Sequence, residues 1–138
     1  MRTKSCVAIL ALAGVLLSGA AAADSHEKAI EKVPEELSKY TRTGDVQDCL
    51  QTYLIRSANV LDDRHIIFET RGGDYYLNQL PHRCPQLGFE ERFGYTLRGP
   101  NRLCHVDFIT VLTTTGPGAS CGLGKFEKLE KVEKKPTQ

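Results

Sequence analysis

Apolar side chains recur through the middle of the chain with a period of two, punctuated at short intervals by turn residues. Residues 53–61 (YLIRSANVL) end at Asp62-Asp63, residues 64–71 (RHIIFETR) at Gly72-Gly73, and residues 74–80 (DYYLNQL) at Pro81. This spacing predicts a meander of three antiparallel strands. Gly-Gly tolerates positive φ at both central positions of a two-residue hairpin loop. Such a loop sets Phe68 opposite Leu77, with Ile66 and Tyr75 on the same face. Residues 81–88 (PHRCPQLG) carry two prolines and interrupt the sheet. Residues 91–97 (ERFGYTL) predict a fourth strand, residues 98–101 (RGPN) a turn, and residues 102–113 (RLCHVDFITVLT) an unbroken fifth strand. On that strand Leu103, His105, Asp107, Ile109 and Val111 share one face. Residues 113–124, rich in Gly and Thr, read as loop. The expectation is an all-β domain over residues 45–126: a small five-stranded antiparallel barrel or rolled sheet of the OB or SH3-like kind.

The flanks differ. In residues 24–44, Ile30, Val33, Leu37 and Tyr40 recur at helical intervals, and Pro34 with Glu35 and Glu36 suits the first turn of a short helix. The segment is charged, and a solvated, partly helical linker is expected. Residues 127–138 are rich in Lys and Glu, with Glu127–Lys131 and Glu130–Lys134 four apart; they read as a solvated helix or a disordered tail. Residues 1–23 have the layout of an export signal. Arg2 and Lys4 precede the apolar run CVAILALAGVLL, and Ala21-Ala22-Ala23 offers a cleavage site before Asp24. A retained anchor is the weaker alternative, since the uncharged stretch only just reaches spanning length. Ala20 stands where a lipoprotein signal needs Cys. The expected product is a periplasmic or secreted protein with no stable membrane anchor.

Composition sharpens this in one respect. The chain has 138 residues, 41% hydrophobic and 25% charged, with net charge +1. Removing Arg2 and Lys4 from 18 bases leaves 16 against 17 acids. A near-neutral product argues against nucleic acid as the main partner.

Of five cysteines, Cys6 lies in the leader, leaving Cys49, Cys84, Cys104 and Cys121. An even number in an exported chain reads as two disulfides. Of three pairings, Cys84–Cys104 with Cys49–Cys121 is favoured: one closes a local span and the other ties the start of the domain to its end. The rival is a metal site built from His82-x-Cys84 and Cys104-His105. Those spacings do not match the common zinc loops, and an oxidising compartment consumes thiolates. The absence of Cys-x-x-Cys argues against a thioredoxin-like switch.

Residues from Cys49 to Phe126 resemble a family of small exported bacterial proteins known as domain of unknown function 6491. The resemblance rests on Cys49-Leu50, Val60-Leu61-Asp62-Asp63 before Ile66-Ile67-Phe68, Tyr75-Tyr76-Leu77, and Leu80 with Cys84-x-x-Leu87. It continues through Arg102-Leu103-Cys104, Asp107-x-Ile109 and Cys121-x-Leu123-Gly124-x-Phe126. His105-Val106 departs from a pattern that more often has Gly near that point. The resemblance implies an exported, disulfide-bonded β domain and names no reaction.

Few residue groups could carry chemistry. His105 and Asp107, on one strand face, form a potential base and carboxylate or two metal ligands. His82 and Arg83 could grip an anion. Tyr75 and Tyr76 point to opposite faces, so one packs and the other is free for contact. Asp62-Asp63 and Glu90-Glu91 are adjacent and cannot act as an acid/base couple on a strand. Ser120 lacks a nucleophile-elbow context, and the Gly pairs lack that of a phosphate loop. These features favour a non-enzymatic binding or envelope-associated module without a cofactor, contacting an envelope protein or a small ligand. The alternative is a metal-assisted hydrolase or metal-binding protein using His82, His105 and Asp107.

Overall fold

A computed structural model describes residues 35–133. The expected leader, with Ile30 and Val33, lies outside the described residues. Among the described residues ten strands form three antiparallel sheets. The largest has the order β1 (Tyr40–Gln47), β10 (Phe126–Lys131), β5 (Tyr75–Gln79), β4 (His65–Thr70), β3 (Ile55–Val60). A second pairs β2 (Cys49–Gln51) with β7 (Arg102–Cys104). The third has β8 (Phe108–Thr113) between β6 (Phe93–Thr96) and β9 (Gly116–Gly122). The sheets are open, so of the two expected forms the rolled arrangement describes them and a closed barrel does not.

The large sheet is covered on both faces. Ile66, Phe68 and Phe126 point into the main core with Leu80, Leu103, Ile109 and Val111. Phe68 meets Phe126 edge-on at 5.5 Å between ring centroids, a favourable aromatic geometry. Ile67, Leu77 and Leu129 point to the other face, where Leu37, Tyr40, Leu61 and Tyr75 pack on them. Leu37 and Tyr40 therefore belong to the folded body, and the expected linker is replaced by strand from Tyr40 onward. The Lys/Glu tail is likewise neither helix nor coil through Lys131: it is strand β10, paired on both sides.

Three further expectations are corrected. The β4–β5 hairpin has three loop residues, closed by Thr70 N–H to Asp74 O at 2.9 Å, with Gly73 at φ 85°. The ladder therefore pairs Phe68 with Tyr76 and Ile67 with Leu77. A register shift of one exchanges faces, so Tyr75 joins Ile67, and Tyr76 joins Phe68. The unbroken fifth strand is interrupted by a turn in which Asp107 N–H donates to Cys104 O at 2.9 Å. His105 and Asp107 thus sit in a turn rather than side by side on a strand face. Finally, the segment read as loop after Thr113 contains β9, whose Gly, Pro, Ala and Ser concealed it.

The disulfides are Cys49–Cys104 and Cys84–Cys121, not the favoured pairing. Strand register decides this: Cys49 lies directly opposite Cys104 in the β2–β7 ladder. Cys121, opposite Ile109, faces the buried Cys84. The sequence separations are 55 and 37 residues. On the chain-entropy account each link is worth about 4 kcal/mol.

Candidate functional site

The chemically capable residues divide into those that hold turns and those that face solvent. Asp107 is 1% exposed, and its carboxylate accepts from the backbone N–H of Arg98 at 3.1 Å and of Cys104 at 2.7 Å. Its own carbonyl accepts from Leu123 N–H at 3.1 Å. It joins three segments and points away from solvent. Asp62 closes the β3–β4 hairpin, accepting from the backbone N–H of Arg64 and His65 at 2.6 and 2.7 Å. The His65 ring lies 2.9 Å from the same carboxylate. Asp63 accepts from Gly88 N–H at 2.8 Å and Arg83 Nε at 2.8 Å, while its carbonyl takes Cys84 N–H. It anchors the loop that carries Cys84. The side-chain NH2 of buried Asn78 donates to Gly124 O at 2.7 Å, and its carbonyl accepts Gly124 N–H at 2.9 Å. Only glycine fits there, because a Cβ at Gly124 would stand 2.0 Å from Gln79 O.

The predicted site residues do not converge. Arg83 is tied to Asp63, and His82 is exposed on its loop. His105 is held by its backbone N–H donating to Asp48 O at 2.9 Å. Among the described residues its buried Nδ1 has no hydrogen-bond partner, lying 3.7 Å from an Asp48 oxygen, a gap too long for a hydrogen bond. Asp48 pairs with Lys125 at 3.1 Å. That hydrogen bond, then the Lys125 charge and more weakly His105, hold the Asp48 carboxyl below its ordinary range. Among the described residues no group of three or more His, Cys, Asp or Glu could hold a metal ion. Cys49, Cys84, Cys104 and Cys121 are spent in disulfides, and Asp107 is spent on backbone amides. Tyr75 packs against Tyr40, with ring centroids 5.1 Å apart, and lies under the Lys131 ammonium at 5.7 Å.

Tyr76 is the candidate that reaches a concave surface. A recess of about 270 Å³ is lined by Asp45, Val46, Gln47, Tyr76 and Lys128. Its shape begins in β1, where the ladder with β10 shifts between Arg42 and Val46 and Gly44 takes φ 80°. This bulge takes Asp45 out of the ladder, which resumes with Val46 opposite Glu127 and Gln47 opposite Phe126. Lys128 lies directly opposite Tyr76 in the β10–β5 ladder. The hydrogen bond from Lys128 to Asp74 at 3.1 Å, reinforced by Asp74's charge, holds the ammonium above the usual lysine range. Sequence reasoning missed Asp45, Gln47 and Lys128. They fall where residues were read as linker boundary and tail, and no local pattern marks a bulge.

The family model described as Family of unknown function (DUF6491) matches residues 2–138. The chain belongs to that family. No curated protein and no solved structure matches the chain. The sequence features that carried the resemblance map onto the scaffold. The four cysteines form the two bonds, Asp62-Asp63 closes a hairpin and anchors the Cys84 loop, Asp107 fixes a turn, and Gly124 receives Asn78.

Proposed function

We propose that the protein is an exported, non-enzymatic binding module that takes a small ligand of the cell envelope in the recess beside Tyr76. The observation that carries this reading is the division of labour among polar residues. Asp62, Asp63, Asp107 and Asn78 are engaged by backbone groups, as the burial of Asp107 and Asn78 requires. The recess instead gathers a carboxylate, an amide, a phenol and an ammonium at an open concave surface. Convergent polar groups in a cleft are how small-ligand sites fix orientation. Two disulfides fit an oxidising compartment, and the leader-like residues 1–23 agree with export to the periplasm or medium. No helix among the described residues is long and apolar enough to cross a membrane.

Two measurements test this. Intact mass of protein recovered from the envelope fraction should begin at Asp24, and retention of residues 1–23 counts against export. Saturable amide shifts at Gln47, Tyr76 and Lys128 on titrating envelope small molecules support the recess. Hydrolysis that depends on added zinc and is lost in His105→Ala would favour the metal-assisted alternative.

A further inference from the structure

The two disulfides differ in what surrounds them. Cys84 is 0% exposed in the main core beside Leu80 and Leu87, and Cys121 packs against the same core. The loop carrying Cys84 is fixed to Asp63 through Arg83, Gly88 and the Cys84 N–H. Cys49 and Cys104 belong to neither core and are half-buried. Successive side chains of a strand point to opposite faces. Leu50 and Leu103, the next residue along β2 and β7 respectively, point into the main core. The Cys49–Cys104 bond therefore lies on the outer face of the β2–β7 pair. That pair has three residues in each strand, and a two-stranded ladder is marginal without further support. Its flanking bonds are His105 N–H to Asp48 O at 2.9 Å and Thr52 N–H to Asn101 O at 3.0 Å. Two residues before Cys49 stands Gln47, which with Val46 forms part of the recess wall.

We propose that Cys49–Cys104 is a redox switch. A dithiol opens it while Cys84–Cys121 keeps the domain folded, and opening loosens the β2 end of the recess wall. One thiolate of the dithiol attacks a sulfur of the pair. The S–S bond breaks, a mixed disulfide forms, and the other cysteine leaves as thiolate. The second thiolate of the dithiol then attacks the mixed disulfide and frees the first cysteine. Two electrons and two protons pass to the protein, and the dithiol becomes a disulfide. Leu50 and Leu103 keep their seats in the core, so the opened form stays compact. No Cys-x-x-Cys is needed, because strand register brings together residues 55 apart in sequence.

The test treats the folded, oxidised protein with dithiothreitol, alkylates samples over time and maps the labels by peptide mass. Access governs the rate of exchange, so label should enter Cys49 and Cys104 at least about tenfold faster than Cys84 and Cys121. In concentrated urea the two bonds should open within about threefold of each other. The alkylated one-bond form should still melt cooperatively. Its His105 and Thr52 amides should exchange hydrogen at least about tenfold faster than in the parent, as local opening requires. The Val46 and Gln47 amides should shift in NMR spectra, and Phe68 should not. Simultaneous opening of both bonds, or earlier opening of Cys84–Cys121, would overturn the proposal. So would a preference that persists in urea, which would owe nothing to the fold. Unmoved Val46 and Gln47 amides in the one-bond form would refute the link to the recess.

Discussion

Replacing Asp107 with Ala removes one carboxylate and leaves two backbone N–H groups, those of Arg98 and Cys104, facing the space it filled. The site is 1% exposed, so water does not readily take over. A hydrogen bond to a charged group contributes about 1.5–3 kcal/mol, and an orphaned buried donor costs about 1–3 kcal/mol. These overlap rather than add, and the net expectation is a loss of about 3–5 kcal/mol. A domain of this size is stable by only about 5–15 kcal/mol, so the variant should be severely weakened yet measurable. Asp107→Asn keeps one acceptor but turns an amide NH2 toward a donor, and should cost about 2–3 kcal/mol. The assay is urea unfolding of the oxidised protein followed by circular dichroism, comparing midpoints at equal slope. His105→Ala serves as control, because the ring makes no hydrogen bond and should cost less than about 1 kcal/mol. If Asp107→Asn unfolds within about 0.5 kcal/mol of the parent, the carboxylate is not the structural tie described. The same holds if the variant abolishes an activity while keeping its stability.

Other consequences follow from close contacts and charges. Gly124→Ala places a Cβ 2.0 Å from Gln79 O and should prevent cooperative folding or lower the melting temperature by at least about 15 °C, whereas Gly99→Ala, which meets nothing within 4 Å, should change it by less than about 5 °C. Asn78→Leu breaks both bonds to Gly124 and should cost about 2–4 kcal/mol in urea unfolding; no loss would show that the pair is dispensable. The Asp48 carboxyl, held low by Lys125, has its pKa depressed in the folded state, so its pairing is complete at neutral pH and is lost only as pH falls below the ordinary carboxylate range. Lys125→Met should therefore raise the Asp48 midpoint in an NMR titration, and an unmoved midpoint would contradict the pairing.

The strands legible in the sequence are those with one dominant buried pattern between strong turns. Residues 64–71 and 74–80 predicted β4 and β5 to within two residues at each end because Gly72-Gly73 and Pro81 bracket apolar runs. The register between them was not legible. Gly-Gly fits both two- and three-residue loops, and the choice was made by Thr70 and Asp74 closing the longer one. Strand β10 escaped notice because both faces of its sheet are covered. Phe126 serves one core and Leu129 the other, leaving Lys and Glu between them without alternation. The cysteines announced two bonds but not their partners, since pairing depends on which strands become neighbours. Tyr76 was visible as a contact residue, yet the recess around it was not, because it is assembled by a bulge in β1 and by a lysine from the far end of the chain.

Two interleaved covalent links act with the two apolar cores to hold three small open sheets together. Each link is worth about 4 kcal/mol by chain entropy, and their loss would remove most of the stability of such a domain. The direct measurement is the melting curve of the same sample with and without a phosphine reductant, with loss of both Cys49–Cys104 and Cys84–Cys121 verified by mass. The account predicts that the reduced protein melts at least about 20 °C lower or is unfolded at room temperature. A fully reduced sample that melts within about 2 °C of the oxidised one would contradict it.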